Sequence, residues 1–186
     1  MTTCAALLRG VNVGRAKRVP MADLRALLEG LGCEGVSTLL NSGNAVFRAA
    51  RATPARLATR IAAAIEAEMG FEVPVIVKSA SDLAAIEAEN VLADGAADLT
   101  RLLVAFVQDP KELAGLAAVE SFVEAPERFL IGRQAAFLDC ARGILESRAA
   151  VALLERTGKG AATVTTRNWA TVLKILDRVR ATDAGS

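Results

Sequence analysis

Residues 7–47 read LLRGVNVGRAKRVPMADLRALLEGLGCEGVSTLLNSGNAVF, a succession of strand, basic loop, helix and hairpin. An apolar strand, predicted from Cys4 to Leu8, ends in Arg9-Gly10 and opens into a basic, glycine-bearing loop. Pro20 suits the first position of a helix because its φ is already fixed, and Gly32 ends that helix. Met21, Leu24, Leu28 and Leu31 share one face at helical spacing and are core candidates. Two short strands, Val36–Leu40 and Asn44–Arg48, then meet at Asn41-Ser42-Gly43-Asn44, where Gly43 supplies the positive φ that hairpin turns require.

Working outward, the same grammar continues. Thr53 caps a second helix that begins at Pro54, carries Leu57, Ile61, Ile65 and Met69 on one face, and stops at Gly70. Val73–Val77 is a fourth strand, and Pro74 argues for an edge or strand-start position. The order is βαββαβ. Ser79-Ala80-Ser81-Asp82 has the form of a capping box and starts a connecting helix to about Glu89, after which 90–98 is the linker candidate.

The second half repeats the plan. A strand at Leu102–Val107 precedes a helix capped by Asp109-Pro110 with Leu113 and Leu116 inward. A hairpin, Phe129–Ile131 and Ala135–Asp139, turns at Gly132-Arg133. Ser147 starts a helix carrying Val151 and Leu154, and 162–165 is a short last strand. Offsets between equivalent strands are about 98 for the first and about 92 for the hairpin, the signature of a pattern-level duplication. A final helix from Arg167 to Val179 aligns Trp169, Val172, Leu176 and Val179. The expected class is α+β: two ferredoxin-like βαββαβ subdomains, 1–90 and 98–186, with the last helix appended.

Composition narrows the chemistry. The 186 residues are 53% hydrophobic and 23% charged with net charge +1, so no global field gathers nucleic acid. Aromatics are 4%, with one Trp and no Tyr, which leaves few platforms for stacking bases. Histidine is absent, which removes Ser-His and Cys-His nucleophiles and every His-ligated metal. Cys4, Cys33 and Cys140 are far apart in sequence and form no CxxC pair, so reduced, buried thiols are expected, with no metal and no cofactor. The N-terminus lacks a signal-peptide pattern and no apolar run approaches the roughly 20 residues of a membrane span. A cytoplasmic protein is expected, with no membrane partner.

Four runs, ALLRGVNVG, VPMADLRALLEGLG, NSGNAVF and TTRNWATVLKIL, occur in this order from one end of the chain to the other. Together they resemble the signature blocks of the bacterial domain of unknown function 1697 family. One departure is Gly14-Arg15, where that family commonly carries Gly-Gly. The resemblance implies paired α+β subdomains in a bacterial protein and no established activity.

Three clusters are candidate binding residues. In the loop Arg9, Asn12, Gly14, Lys17 and Arg18, backbone amides could hold phosphate while Arg9 and Lys17 neutralise it; neither GxxxxGK[ST] nor GxGxxG is present. Asn41, Ser42 and Asn44 crowd polar groups into one turn, although such turns favour Asn and Gly for backbone reasons alone. Thr166 is read as the cap of the last helix, which puts Arg167 in the first turn against the dipole, beside Asn168. Arg9, Lys17 and Arg167 would then form the positive wall of one cleft between the subdomains. Asp23 and Asp139 read as isolated carboxylates, with no acid–base pair in view. The leading expectation is a module binding a small anionic, phosphate- or nucleotide-like ligand. The alternatives are a nucleic-acid-binding module, for which the strands lack aromatics, and a histidine-free enzyme acting on a phosphorylated substrate.

Overall fold

The computed structural model describes residues 1–14, 17–50, 52–156 and 164–185; Arg15 of the loop and Ala162 of the expected last strand lie outside them. The first half runs β1 (Thr2–Leu8), α1 (Met21–Gly30), β2 (Glu34–Leu39), β3 (Asn44–Ala49), α2 (Pro54–Met69), β4 (Val75–Ser79) and α3 (Ala80–Glu89). The second runs β5 (Leu102–Val107), a 3₁₀ segment (Pro110–Phe122), β6 (Arg128–Ile131), β7 (Ala135–Asp139), α4 (Arg148–Arg156), β8 (Val164–Asn168) and α5 (Trp169–Ala184). The strands form two four-stranded antiparallel sheets ordered β2-β3-β1-β4 and β6-β7-β5-β8, the ferredoxin-like arrangement twice over. By contact the chain divides into Met1–Leu83 with Lys174–Ser186, and Ala84–Leu173, so the division falls inside α3 and inside α5. No helix among the described residues is long and apolar enough to cross a membrane.

Each sheet is built on its central apolar strand. Cys4, Ala6 and Leu8 of β1 alternate onto one face with Ala45, Phe47 and Val77, and Leu24 and Leu28 of α1 and Leu57, Ile61 and Ile65 of α2 pack there. Ala5 and Leu7, on the other face, are equally buried, which is why β1 reads as an unbroken apolar run instead of an alternating one. In the second unit Leu103, Ala105 and Val107 play the same part with Ala136, Leu138 and Val164.

Local signals hold where they rest on backbone chemistry. Thr53 Oγ1 accepts from Arg56 N–H at 3.3 Å to cap α2, and Gly70 closes it at φ +78°. Ser79 and Asp82 bond reciprocally, Ser79 N–H to Asp82 Oδ2 at 2.9 Å and Asp82 N–H to Ser79 Oγ at 3.2 Å, the capping box expected there. Pro74 sits just before β4, which is an edge strand of its sheet.

Three expectations change. The helix after Asp109-Pro110 is a 13-residue 3₁₀ run, far longer than the three or four residues usual for that conformation. Its apolar residues explain the choice: Leu113, Leu116, Val119 and Phe122 recur every third residue, so three residues per turn aligns them into one ridge on the core, where an α-helix would fan them apart. In α4 it is Ala149, Ala150 and Leu153 that face inward, while Val151 and Leu154 are 46% and 42% exposed. The third change concerns Arg167. The last strand is β8, Val164–Asn168, and Arg167 is part of it, opposite Val104 of β5. The β-branched Val164-Thr165-Thr166 run favours extended backbone, so the helix begins two residues later than read. Thr166 does not cap it. Asn168 does, its Oδ1 accepting Thr171 N–H at 2.9 Å.

Candidate functional site: a hollow at the start of the first helix

The end of β1 is tied on both sides, Leu8 N–H to Gly43 O at 2.8 Å and Arg9 N–H to Pro74 O at 2.9 Å. The chain then leaves the sheet through backbone that only Gly and Asn adopt readily: φ is +64° at Gly10, +58° at Asn12 and +65° at Gly14. Lys17, at +50°, completes the left-handed set. Asn12 N–H closes the loop onto Lys17 O at 3.1 Å. The Asn12 carboxamide donates to Val19 O at 2.9 Å and to Asn41 O at 2.7 Å, and its Oδ1 accepts Val19 N–H at 2.9 Å. One side chain therefore joins both ends of the loop and the β2–β3 turn.

The other polar candidates divide by what they touch. Asn44 is buried and donates to Leu39 O at 3.1 Å and Ser42 Oγ at 2.9 Å, so Ser42 and Asn44 shape the turn. Gly43, at φ +75°, packs so closely that an added Cβ would lie 2.6 Å from Val11 Cγ2 and 2.7 Å from Leu8 Cβ. The Lys17 ammonium donates to Glu72 O at 2.9 Å. Arg9 is half-buried, and desolvation lowers its pKa.

What this framework leaves open is a hollow of about 320 Å³ lined by Asn12, Gly14, Arg18, Val19, Pro20 and Asn41. It lies at the start of α1. Pro20 is the N-cap residue there, and no side chain caps the helix. The first intrahelical bond is Leu24 N–H to Pro20 O at 3.0 Å, so the amides of the preceding turn have no partner within the helix. Exposed Arg18 and the helix dipole both favour an anion at this point. Asp23, in the first turn, supplies part of the same complement from the protein itself.

Arg167 and Asn168 belong to the other unit. Arg167 is 9% exposed, and its Nη1 donates to Thr165 Oγ1 at 3.0 Å and Thr166 O at 2.7 Å. Burial pulls its pKa down to about 10, which leaves it charged at neutral pH. Nor is Asp139 isolated: Arg128 Nη2 donates to its Oδ2 at 2.7 Å. The hairpin read from sequence began at Phe129; in the structure β6 starts one residue earlier, and its register sets Arg128 opposite Asp139.

Fold and loop together define an α+β protein of two ferredoxin-like sheets with a basic, Asn-braced loop leading from the first strand to the first helix. The chain belongs to the protein of unknown function DUF1697 family, whose pattern matches residues 1–137; the TTRNWATVLKIL block lies beyond the match. Among solved structures it is similar to the conserved bacterial protein SP0830 from Streptococcus pneumoniae, at 26% identity and a TM-score of 0.73, over 96% of this chain and 98% of that one. Comparison with curated proteins finds no match.

Proposed function

We propose that the protein binds a small phosphate-bearing anion in the hollow at the start of α1. The observation that carries this reading is the coincidence of an uncapped helix N-terminus, Arg18 and a 320 Å³ hollow within a loop held open by Asn12. The hollow is at the small end of the roughly 300–1,000 Å³ usual for ligand sites, which suits a phosphate or nucleoside monophosphate better than a dinucleotide. In this reading Arg18 neutralises the anion, the free amides of α1 and the Asn41 side chain orient it, and Asn12 and Asn44 hold the frame. A bacterial, cytoplasmic setting accords with three free, buried thiols and with the bacterial origin of the structural relative.

Calorimetric titration with inorganic phosphate, pyrophosphate and adenosine monophosphate tests the proposal. Binding of at least one is expected, weakening as salt rises. A charge-assisted contact contributes on the order of 1.5–3 kcal/mol, so Arg18→Ala should weaken it about ten- to a hundredfold without changing the melting temperature. Absence of binding by all three, or binding indifferent to Arg18→Ala, would overturn the reading.

A further inference from the structure

A second cavity, about 180 Å³, lies wholly within Ala84–Leu173 and is lined by Gly95, Asp98, Arg101, Pro126, Arg128 and Asp139. Its charged groups form two pairs of different character. Arg128 grips Asp139 through Nη2 at 2.7 Å and Nε at 3.3 Å, both to Oδ2, while Nη2 also donates to Leu92 O at 3.2 Å. The Asp139 side chain is 8% exposed and that of Arg128 is 40% exposed, so it is the buried carboxylate and the hydrogen bonds of the guanidinium that hold this pair in the wall.

The other pair is open. Arg101 Nε meets Asp98 Oδ2 at 3.3 Å and its Nη1 donates to Ala141 O at 3.4 Å, with the two side chains 47% and 41% exposed. Asp98 is nevertheless held in place, because its Oδ1 accepts Thr100 N–H at 2.9 Å and Thr100 Oγ–H at 2.6 Å. The same bonds lower its pKa and keep it ionised. An exposed ion pair of this kind contributes little to stability, so its members can exchange each other for a ligand at small cost.

We propose that this cavity binds a free α-amino acid as its zwitterion, with the Arg101 guanidinium taking the carboxylate and the Asp98 carboxylate taking the ammonium. Charge balance carries the choice of ligand. The lining presents two guanidinium and two carboxylate groups, so a simple anion would face Asp98 and Asp139, and a simple cation would face Arg101 and Arg128. A molecule with both charges a few ångströms apart matches the open pair and leaves the pair held in the wall undisturbed. The volume falls below the range typical of nucleotide and cofactor sites, and suits a small side chain. Proposed this way, the site is independent of the hollow at α1.

Calorimetric titration of the full chain with glycine, L-alanine and L-serine tests it, alongside L-alaninamide and N-acetyl-L-alanine, which each lack one of the two charges. Saturable binding of at least one amino acid is expected, with both derivatives of alanine at least tenfold weaker than alanine. Arg101→Gln and Asp98→Asn should each weaken alanine binding at least tenfold. The comparison of derivatives uses the unaltered protein, so it decides the question even where a variant folds poorly. The proposal is overturned by no binding of any of the three amino acids, by either derivative binding as tightly as alanine, or by a folded variant that binds like the parent. Acetate binding that survives Asp98→Asn would identify a plain anion site and overturn it equally.

Discussion

Gly43 is where backbone conformation and packing both exclude a side chain, and the two contributions can be separated. At φ +75° an alanine pays the left-handed penalty of about 1–2 kcal/mol. Its methyl would also stand 2.6 Å from Val11 Cγ2 and 2.7 Å from Leu8 Cβ, in fully packed surroundings; overpacking of this kind costs about 1–3 kcal/mol more. Relief by moving the turn would pull Gly43 O from Leu8 N–H, now at 2.8 Å. Gly43→Ala should therefore destabilise the fold by roughly 2–5 kcal/mol. Gly70 supplies the control, because its φ is +78° and an added Cβ meets nothing within 4 Å. Gly70→Ala carries the conformational cost alone, about 1–2 kcal/mol. Urea unfolding followed by far-UV circular dichroism measures both. At this chain length each kcal/mol moves the melting temperature by about 2–4 °C, which gives an independent check. Equal losses in the two variants would refute the steric argument, and with it the tight packing of the turn under the loop.

Other substitutions probe the same framework. Asn12→Ala removes three hydrogen bonds, each worth about 0.5–1.5 kcal/mol net, so a loss of roughly 2–4 kcal/mol is expected in urea unfolding, and a loss below 1 kcal/mol would show the loop to be held by other means. Asn168→Ala should cost about 1 kcal/mol by uncapping α5, whereas Asn168→Asp, which keeps the acceptor, should be near neutral; equal effects would contradict the cap. Burial pushes the Cys4 and Cys140 thiols up to about 11. A thiol whose folded pKa lies above its unfolded value favours the fold while protonated. That stabilisation is complete below about pH 9 and is lost as pH rises through about 11. Thiol labelling at pH 8 should accordingly be slow in the folded protein and fast in urea, and rapid labelling of the native chain would place a cysteine at the surface.

The fold was legible wherever a local rule involved the backbone. Pro54, Gly70, Ser79 with Asp82, and Gly43 act through φ or through unpaired amides, and those requirements are the same in any surroundings. Apolar periodicity was less secure because it depends on the assumed period. Leu113, Leu116, Val119 and Phe122 satisfy a three-residue repeat better than a 3.6-residue one, and reading only Leu113 and Leu116, as residues of a helix, hid the 3₁₀ run. In α4 the rule failed for another reason. The buried residues include two alanines, Ala149 and Ala150, and a small side chain gives little signal beside Val151 and Leu154, which are larger and exposed.

Site residues were harder to read because amides and guanidinium groups serve the fold as readily as a ligand. Asn12, Asn44 and Asn168 drew attention as polar residues in glycine-rich or helix-start contexts, and each engages backbone: a loop, a turn and a helix end. Such contexts need side-chain partners for orphan amides and carbonyls, so they concentrate Asn whether or not a ligand is bound. Arg167 illustrates the electrostatic version of the same ambiguity. Its apparent conflict with a helix dipole vanishes once the helix starts at Trp169, and its guanidinium is directed to Thr165 and Thr166 of its own strand. The two proposals rest on groups whose described surroundings leave capacity over: Arg18 beside the uncapped start of α1, and Arg101 with Asp98 in an exposed pair. Neither could be recognised from residue type, since arginine is common on surfaces and what distinguishes these is the geometry of their neighbours. Spare hydrogen-bonding capacity next to a cavity is therefore the criterion on which both proposals rest, and it is a property of the folded molecule.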